Sequence, residues 1–277
     1  MEHLASIFVL VSGLAHAIVN AIFKAGQDKL ASRALIEAFS GLLALPLALL
    51  VPLPGLAWNW LLLSFAIHVV YLFSLIKAFE LSDMSVAYPI SRGLAPAIAA
   101  VCAVTVFGEA INAATVLGIA FVSGGVVAIG FSQRVNRAAL LWALLTATCV
   151  AGYTVVDAQG VRAAPSAASY IVWIFILVAG GVAGVFALWR GKIFLLTAAQ
   201  QWRPGLTAGA LSLFGYGLAL LAFRIGATPR LASLRETSIL FGTAIAVIFL
   251  KERLSRLRGA GVAAIAAGAI VLVAAAR

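Results

Sequence analysis

Arginine residues lie inside two of the long hydrophobic stretches of this chain, at Arg92 and Arg235. Placing a charged side chain in hydrocarbon costs at least about 3 kcal/mol, so an ionisable residue at such a position is a candidate functional residue. The planar guanidinium can bind a carboxylate or phosphate through two parallel hydrogen bonds. For Arg92 there is a structural alternative, in which it bonds carbonyls that Pro89 and Pro96 leave free in its helix. The pair predicts an anion-binding site inside a membrane.

Further polar and aromatic residues recur three or four positions apart, which puts them on one face of a helix. Tyr88 precedes Arg92 by four residues, His68 precedes Tyr71 by three, and two other pairs show the spacing of four. Asp157 lies toward the end of its stretch, where it can alternatively reach the lipid headgroups. Together these residues predict a substrate-binding cavity lined by His16, Asn20, His68, Tyr71, Tyr88, Arg92, Tyr153, Asp157, Tyr216, Arg235 and Glu236.

The acidic residues near these positions have more than one interpretation. Adjacent helical residues point about 100° apart, so we expect Arg235 to line the cavity while Glu236 bonds a neighbouring helix. Glu236 is either a proton-coupling carboxylate or a counter-ion. We interpret Glu37 as the i,i+4 partner of Arg33, and Glu109 as a structural residue that bonds a neighbouring helix end.

The composition is that of an integral membrane protein. The chain is 64% hydrophobic and only 10% charged, whereas a soluble domain is roughly 25% charged. A membrane-spanning helix needs about 20 predominantly apolar residues. Ten such stretches, numbered here as spans 1 to 10, lie at 4–23, 34–51, 59–78, 85–107, 112–131, 139–158, 167–189, 205–223, 229–250 and 257–275. The connections are short, and we expect an all-α protein of a bacterial inner (cytoplasmic) membrane.

An internal repeat relates the two halves of the chain. A constant offset of 143 residues carries Arg92 onto Arg235, Glu109 onto Glu252, Gly118 onto Gly261 and Gly125 onto Gly268. Five spans in each half is an odd number, so the second half would enter the membrane upside down. We therefore predict two inverted five-helix repeats, residues 1–135 and 136–277, with a substrate site where they meet. Glycines clustered at 124–130, 180–184 and 259–268 permit close helix packing, within one chain or in a dimer.

Basic residues are distributed unequally between the two sides of the spans. The loops after odd-numbered spans hold 13 of the 19 Lys and Arg residues, and the other side holds four. The remaining two are Arg92 and Arg235. The positive-inside rule then predicts cytoplasmic odd loops and both termini outside. This distribution also accounts for the net charge of +10 without a nucleic-acid partner.

Two sequence runs resemble a known family. The run Tyr-Pro-Ile-Ser-Arg-Gly-Leu-Ala-Pro at 88–96, followed by Gly108-Glu109, resembles the fourth helix of EamA-type transporters of the drug/metabolite transporter superfamily. The run Leu-Arg-Glu-Thr-Ser-Ile-Leu-Phe at 234–241, followed by Lys251-Glu252, is similar to their ninth helix. The resemblance implies a ten-helix basket, with spans 1, 3, 4, 6, 8 and 9 around a central cavity, and an export function. It also implies cytoplasmic termini, against the distribution of charge.

The sequence favours a secondary transporter over an enzyme. The chain has no P-loop motif and no GxSxG elbow, and its histidines and cysteines lack metal-ligand spacing. We expect no catalytic residue, no metal and no cofactor. We predict export of a small zwitterion, such as an amino acid, or alternatively transport of a larger organic anion such as a nucleotide sugar or phosphate ester. The expected partners are this substrate and membrane lipid; proton coupling and a monomeric or homodimeric state are left open.

Overall fold

The computed structural model describes residues 1–25, 28–81, 84–130, 136–248, 251 and 255–275. The described residues form helices and short connections, with no strand among them. Seven of the predicted spans are single helices. These run from Glu2–Ala25 (span 1), Lys29–Ala44 (span 2), Trp58–Leu81 (span 3), Met84–Thr105 (span 4), Ala113–Gly130 (span 5), Arg137–Ala163 (span 6) and Arg256–Ala274 (span 10). A 3₁₀ turn, Leu45–Leu49, extends span 2.

Spans 7 and 8 form one long helical run, Ala167–Ile225, which the sequence predicts as two helices with a loop between them. The backbone leaves helical geometry at Arg190 and at Gln201, so the run bends twice. The apolar segments on either side are Ala167–Lys192 and Phe194–Ile225. The predicted loop is therefore largely helical.

Span 9 is interrupted, although the sequence pattern predicts one continuous helix. Helix Thr228–Leu234 is followed by a 3₁₀ turn, Arg235–Thr237, and then by helix Ser238–Ile248. The Thr237 hydroxyl donates a hydrogen bond of 2.7 Å to the Leu234 carbonyl, a local bond of the kind that competes with the regular helical pattern. Mid-helix 3₁₀ segments often mark hinges, and this one carries two predicted site residues.

Eight of the described helices are long and apolar enough to cross a membrane. The two shorter apolar helices, Ile90–Thr105 and Ala113–Ile129, belong to spans 4 and 5. Large apolar side chains such as Leu188 and Ile270 lie on the outer surface, where lipid would cover them. The described part of the chain is all-helical, and its eight long and two shorter apolar helices are consistent with an integral membrane protein of ten helices.

Spans 5 and 10 cross at glycines. A Cβ atom at Gly125 would lie 2.6 Å from the Gly261 carbonyl oxygen, and one at Gly268 would lie 2.8 Å from the Gly118 carbonyl oxygen. Small residues allow helix backbones to approach this closely in lipid. Gly125, Gly261 and Gly268 therefore allow close packing of two helices within one chain. For these three glycines, packing within the chain is the one of the two alternatives that is observed.

Candidate functional site

A cavity of about 280 Å³ lies between the spans. Spans 1, 3, 4, 6, 8 and 9 all contribute to its wall, as the resemblance implies, and spans 2 and 7 contribute as well. Spans 5 and 10 supply none of the described lining residues. Eight of the predicted site residues lie on the wall, namely His16, Asn20, His68, Tyr71, Arg92, Tyr153, Tyr216 and Arg235. The side chain of Tyr88 lies outside the described part of the chain.

An aromatic cluster forms one side of the cavity. The His68 and Tyr153 rings stack with centroids 4.2 Å apart, and the Tyr71 ring meets Tyr153 edge-on at 5.7 Å. The Nδ1 of His68 donates a 2.8 Å hydrogen bond to the Ser64 carbonyl, which fixes the orientation of the imidazole. The cluster presents a rigid surface that can receive apolar or cationic groups.

Arg235 provides a cation with donor capacity at the cavity wall. Its guanidinium carbon lies 4.6 Å from the centroid of the Tyr216 ring, a cation–π contact. The residue is only 8% exposed, and within the described residues its Nε has no hydrogen-bond partner. A guanidinium at the wall of a cavity is suited to bind a carboxylate.

Arg92 lies between the cavity and a much smaller space of about 10 Å³. Its Nη2 is 3.1 Å from Oε1 of Glu236, and both side chains are buried. Glu236 lines the small space and not the cavity wall, so its predicted place in the cavity is corrected. Arg235 lines both spaces, whereas Glu236 bonds Arg92 of span 4, a neighbouring helix, as we expect for the residue next to Arg235.

Asp157 lies behind the cavity wall. Its oxygens accept hydrogen bonds from the Tyr170 hydroxyl at 2.8 Å and the Tyr216 hydroxyl at 2.5 Å, and the residue is 0% exposed. The alternative that Asp157 reaches the lipid headgroups is therefore wrong, and direct lining of the cavity is not observed either. Its tyrosine partners come from spans 7 and 8, which no sequence spacing indicates.

Two charged residues of the cavity wall, Arg33 and Glu37, were not predicted as site residues from the sequence. Their predicted ion pair is present, with 2.5 Å between Nη2 and Oε1. Both also line the cavity, and Glu37 is buried. The sequence did contain a signal, because Glu37 is a carboxylate within an apolar stretch. Its pairing with Arg33 accounted for it without a place in the cavity. The cavity wall thus contains three arginines and one carboxylate among the described residues.

A hydrogen-bond network around Glu109 connects several spans at one end of the helix bundle. Its Oε1 accepts from Nη1 of Arg162 and from the Thr228 hydroxyl, both at 2.7 Å. Its Oε2 accepts a 2.8 Å bond from the Thr228 backbone N–H, which satisfies an unpaired donor at the start of span 9. The structural interpretation of Glu109 is confirmed, whereas its repeat partner Glu252 lies outside the described residues.

Two more arginines, Arg224 and Arg230, bond protein groups at the same end. Arg230 bonds the Glu2 carboxylate and donates to the Ser6 hydroxyl at 2.8 Å. Arg224 donates to the Val161 carbonyl at 2.8 Å. Arg162, Arg224 and Arg230 belong to the side of the membrane that has few basic residues, and each of them bonds other groups of the protein. The cavity wall instead includes Phe23, Arg33 and Ile76, which lie near the opposite end, where the basic loops begin.

Comparisons with known proteins agree with this architecture. The family model of the EamA-like transporter family matches residues 137–274. The chain belongs to this family, as an EamA-type member of the drug/metabolite transporter superfamily; the family is one of transporters rather than enzymes. No curated protein matches the chain.

Solved structures share the fold. One, described only as the crystal structure of a protein, superposes with a TM-score of 0.74 over 98% of this chain and 95% of its own. Its sequence is 17% identical, so the likeness concerns the fold alone.

Proposed function

We propose that this chain is a secondary transporter that exports a small zwitterionic metabolite, an amino acid or a similar compound, through the central cavity. The observation that carries the proposal is the buried guanidinium of Arg235 at the cavity wall, with its Nε unused. A ligand carboxylate is the natural partner for such a buried group.

The rest of the wall suits the ammonium group and side chain of a zwitterion. Glu236 and Asp157, the carboxylates expected to receive an ammonium, are instead bonded to protein groups. Glu37 is on the wall but is paired with Arg33, so the aromatic cluster of His68, Tyr71 and Tyr153 is the surface that remains available there. Both a carboxylate and an aromatic face attract an ammonium. The volume of about 280 Å³ is at the lower end of ligand sites, which favours a small molecule.

A larger organic anion, such as a nucleotide sugar or phosphate ester, is the second candidate. The excess of arginines over carboxylates on the wall supports it. However, Arg92 is paired with Glu236 and Arg33 with Glu37, which leaves Arg235 as the one wall arginine without an ion pair to a carboxylate among the described residues. The small volume also argues against a nucleotide sugar.

The transport cycle that we propose is alternating access between inverted repeats, residues 1–135 and 136–277. The glycine contacts support this symmetry. Gly118 meets Gly268 and Gly125 meets Gly261, while the repeat offset relates Gly118 to Gly261 and Gly125 to Gly268. Exchanging repeat-related residues therefore converts one contact into the other, as a two-fold axis between the halves requires.

The proposal is tested by exchange transport in proteoliposomes with radiolabelled amino acids, organic anions and organic cations. We expect saturable exchange of a zwitterion. Arg235→Gln should raise its KM at least about tenfold, the effect of losing a charge-assisted hydrogen bond. Arg203→Gln is the matched control, because Arg203 also lies over an aromatic ring, that of Trp202, but outside the cavity wall.

Exchange restricted to organic cations, or zwitterion exchange with the same KM in Arg235→Gln as in the wild type, would contradict the proposal. Exchange restricted to phosphate esters would establish the second candidate instead.

A further inference from the structure

The buried carboxylate of Asp157 joins three spans at a point behind the cavity. Asp157 lies on span 6, and its two oxygens accept from Tyr170 of span 7 at 2.8 Å and from Tyr216 of span 8 at 2.5 Å. Asp157 and Tyr170 are both 0% exposed. The carboxylate itself does not line the cavity. Its effect on a ligand must therefore pass through a neighbour.

Tyr216 is that neighbour, because it has two functions at once. Its hydroxyl bonds Asp157, while its ring face lies 4.6 Å from the guanidinium carbon of Arg235 and lines the cavity. A phenol held at its hydroxyl cannot swing about its side-chain torsions. Donation to a carboxylate also pushes electron density into the ring, which strengthens the attraction for a cation above it.

We infer that Asp157 is a positioning residue for the anion-binding site. It holds the Tyr216 ring by its hydroxyl, and the ring supports the guanidinium of Arg235 at the cavity wall. This inference rests on the proposed role of Arg235 in binding a carboxylate. It assigns Asp157 no contact with the substrate.

The primary test needs no substrate. The full-length protein in detergent is treated with phenylglyoxal, which modifies accessible guanidinium groups, and the rates for Arg235 and Arg92 are read by peptide mass spectrometry. Asp157→Asn and Tyr216→Phe should each raise the rate at Arg235 about fivefold, in line with the loss of one buried hydrogen bond, and leave Arg92 unchanged. Tyr216→Phe keeps the ring and removes only the hydroxyl.

Thr146→Val is the matched control, because it removes a buried hydroxyl from the same span that bonds Ser74 and the Trp142 carbonyl. It should leave Arg235 at the wild-type rate. Unchanged Arg235 rates in both Asp157→Asn and Tyr216→Phe would overturn the inference. A rise at Arg92 and Arg235 together would also overturn it, since that result indicates general loosening.

Transport supplies a second readout once a substrate is found. Asp157→Asn should raise KM about fivefold with little change in Vmax, and it should add nothing in an Arg235→Gln background. An additive effect in that background would refute action through Arg235. Failure of every substrate in the exchange panel would remove the proposed function but leave the labelling result readable, so the two failures are distinguishable.

Discussion

The ion pair between Arg92 and Glu236 is the most heavily buried charge pair of the described cavity region, with side chains 8% and 4% exposed. A buried pair contributes little compared with an apolar pair, but removing one partner leaves the other charge buried alone and costs about 3–5 kcal/mol. The pair also joins span 4 to span 9, which contain the two repeat-related arginines. Its stability contribution is therefore separable from any part in ligand binding.

We predict that Glu236→Gln lowers the unfolding temperature in detergent markedly, and that the double variant Arg92→Gln/Glu236→Gln recovers much of the loss, because it buries no uncompensated charge. Differential scanning fluorimetry measures both. Glu80→Gln is the control, since Glu80 pairs with Lys77 at an exposed position and should shift the temperature little. A Glu236→Gln protein as stable as the wild type would show that the pair is dispensable.

Residue types were easier to predict than residue partners. The helical spacing of His68 and Tyr71, and the cost of a charge in hydrocarbon for Arg92 and Arg235, identified positions that the fold brings to one cavity. The spacing could not reveal that Asp157 bonds Tyr170 and Tyr216. Such partners depend on how spans pack, which a periodicity within one span does not encode.

At the scale of the helices, adjacent glycines in span 5 have opposite environments. A Cβ at Gly125 would lie 2.6 Å from the Gly261 carbonyl oxygen, whereas one at Gly124 would meet nothing within 4 Å. Because backbone atoms of span 10 cannot move aside without shifting the helix, we predict that Gly125→Ala destabilises the protein by about 1–3 kcal/mol.

Gly124→Ala is the matched control, which should be neutral or slightly stabilising through its higher helix propensity. Thermal unfolding in detergent compares the two variants. Equal unfolding temperatures for both would mean that spans 5 and 10 do not pack at these glycines.

The positions of the ten helical spans could be predicted from hydropathy, but the break within span 9 could not. The ten apolar stretches correspond to the helical spans, because lipid requires long runs of apolar residues with internally bonded backbones. The break at Arg235–Thr237 was not predicted, since no Pro or Gly lies in that turn. The turn coincides with the bond from the Thr237 hydroxyl to the Leu234 carbonyl and with the burial of all three turn residues, and that burial depends on how the spans pack.

At the scale of the whole molecule, the two faces carry different numbers of basic residues. On the side with few basic residues, Arg162, Arg224 and Arg230 all bond protein groups. On the opposite face, Arg33, Lys77 and Arg190 are likewise paired with carboxylates. This opposite face carries 13 Lys and Arg residues in its loops, and the cavity wall approaches that end.

We therefore predict that both termini are outside the cell and that the cavity of this conformation opens toward the cytoplasm. A C-terminal fusion to alkaline phosphatase, which is active only outside the cytoplasm, should be active, and the same fusion to a green fluorescent protein should be dark. The reverse pattern would contradict the charge argument and agree with the termini that the family resemblance implies. Western blots confirm equal expression of the two fusions.

The short turn in span 9 has a mechanical consequence. Arg235 faces the cavity and Glu236, one residue later, holds Arg92 on span 4. A ligand that draws Arg235 toward itself also displaces the adjacent carboxylate along the same piece of backbone. We therefore expect the contact between spans 4 and 9 to differ in strength between an empty and an occupied cavity, which would link the relative movement of the two spans to binding.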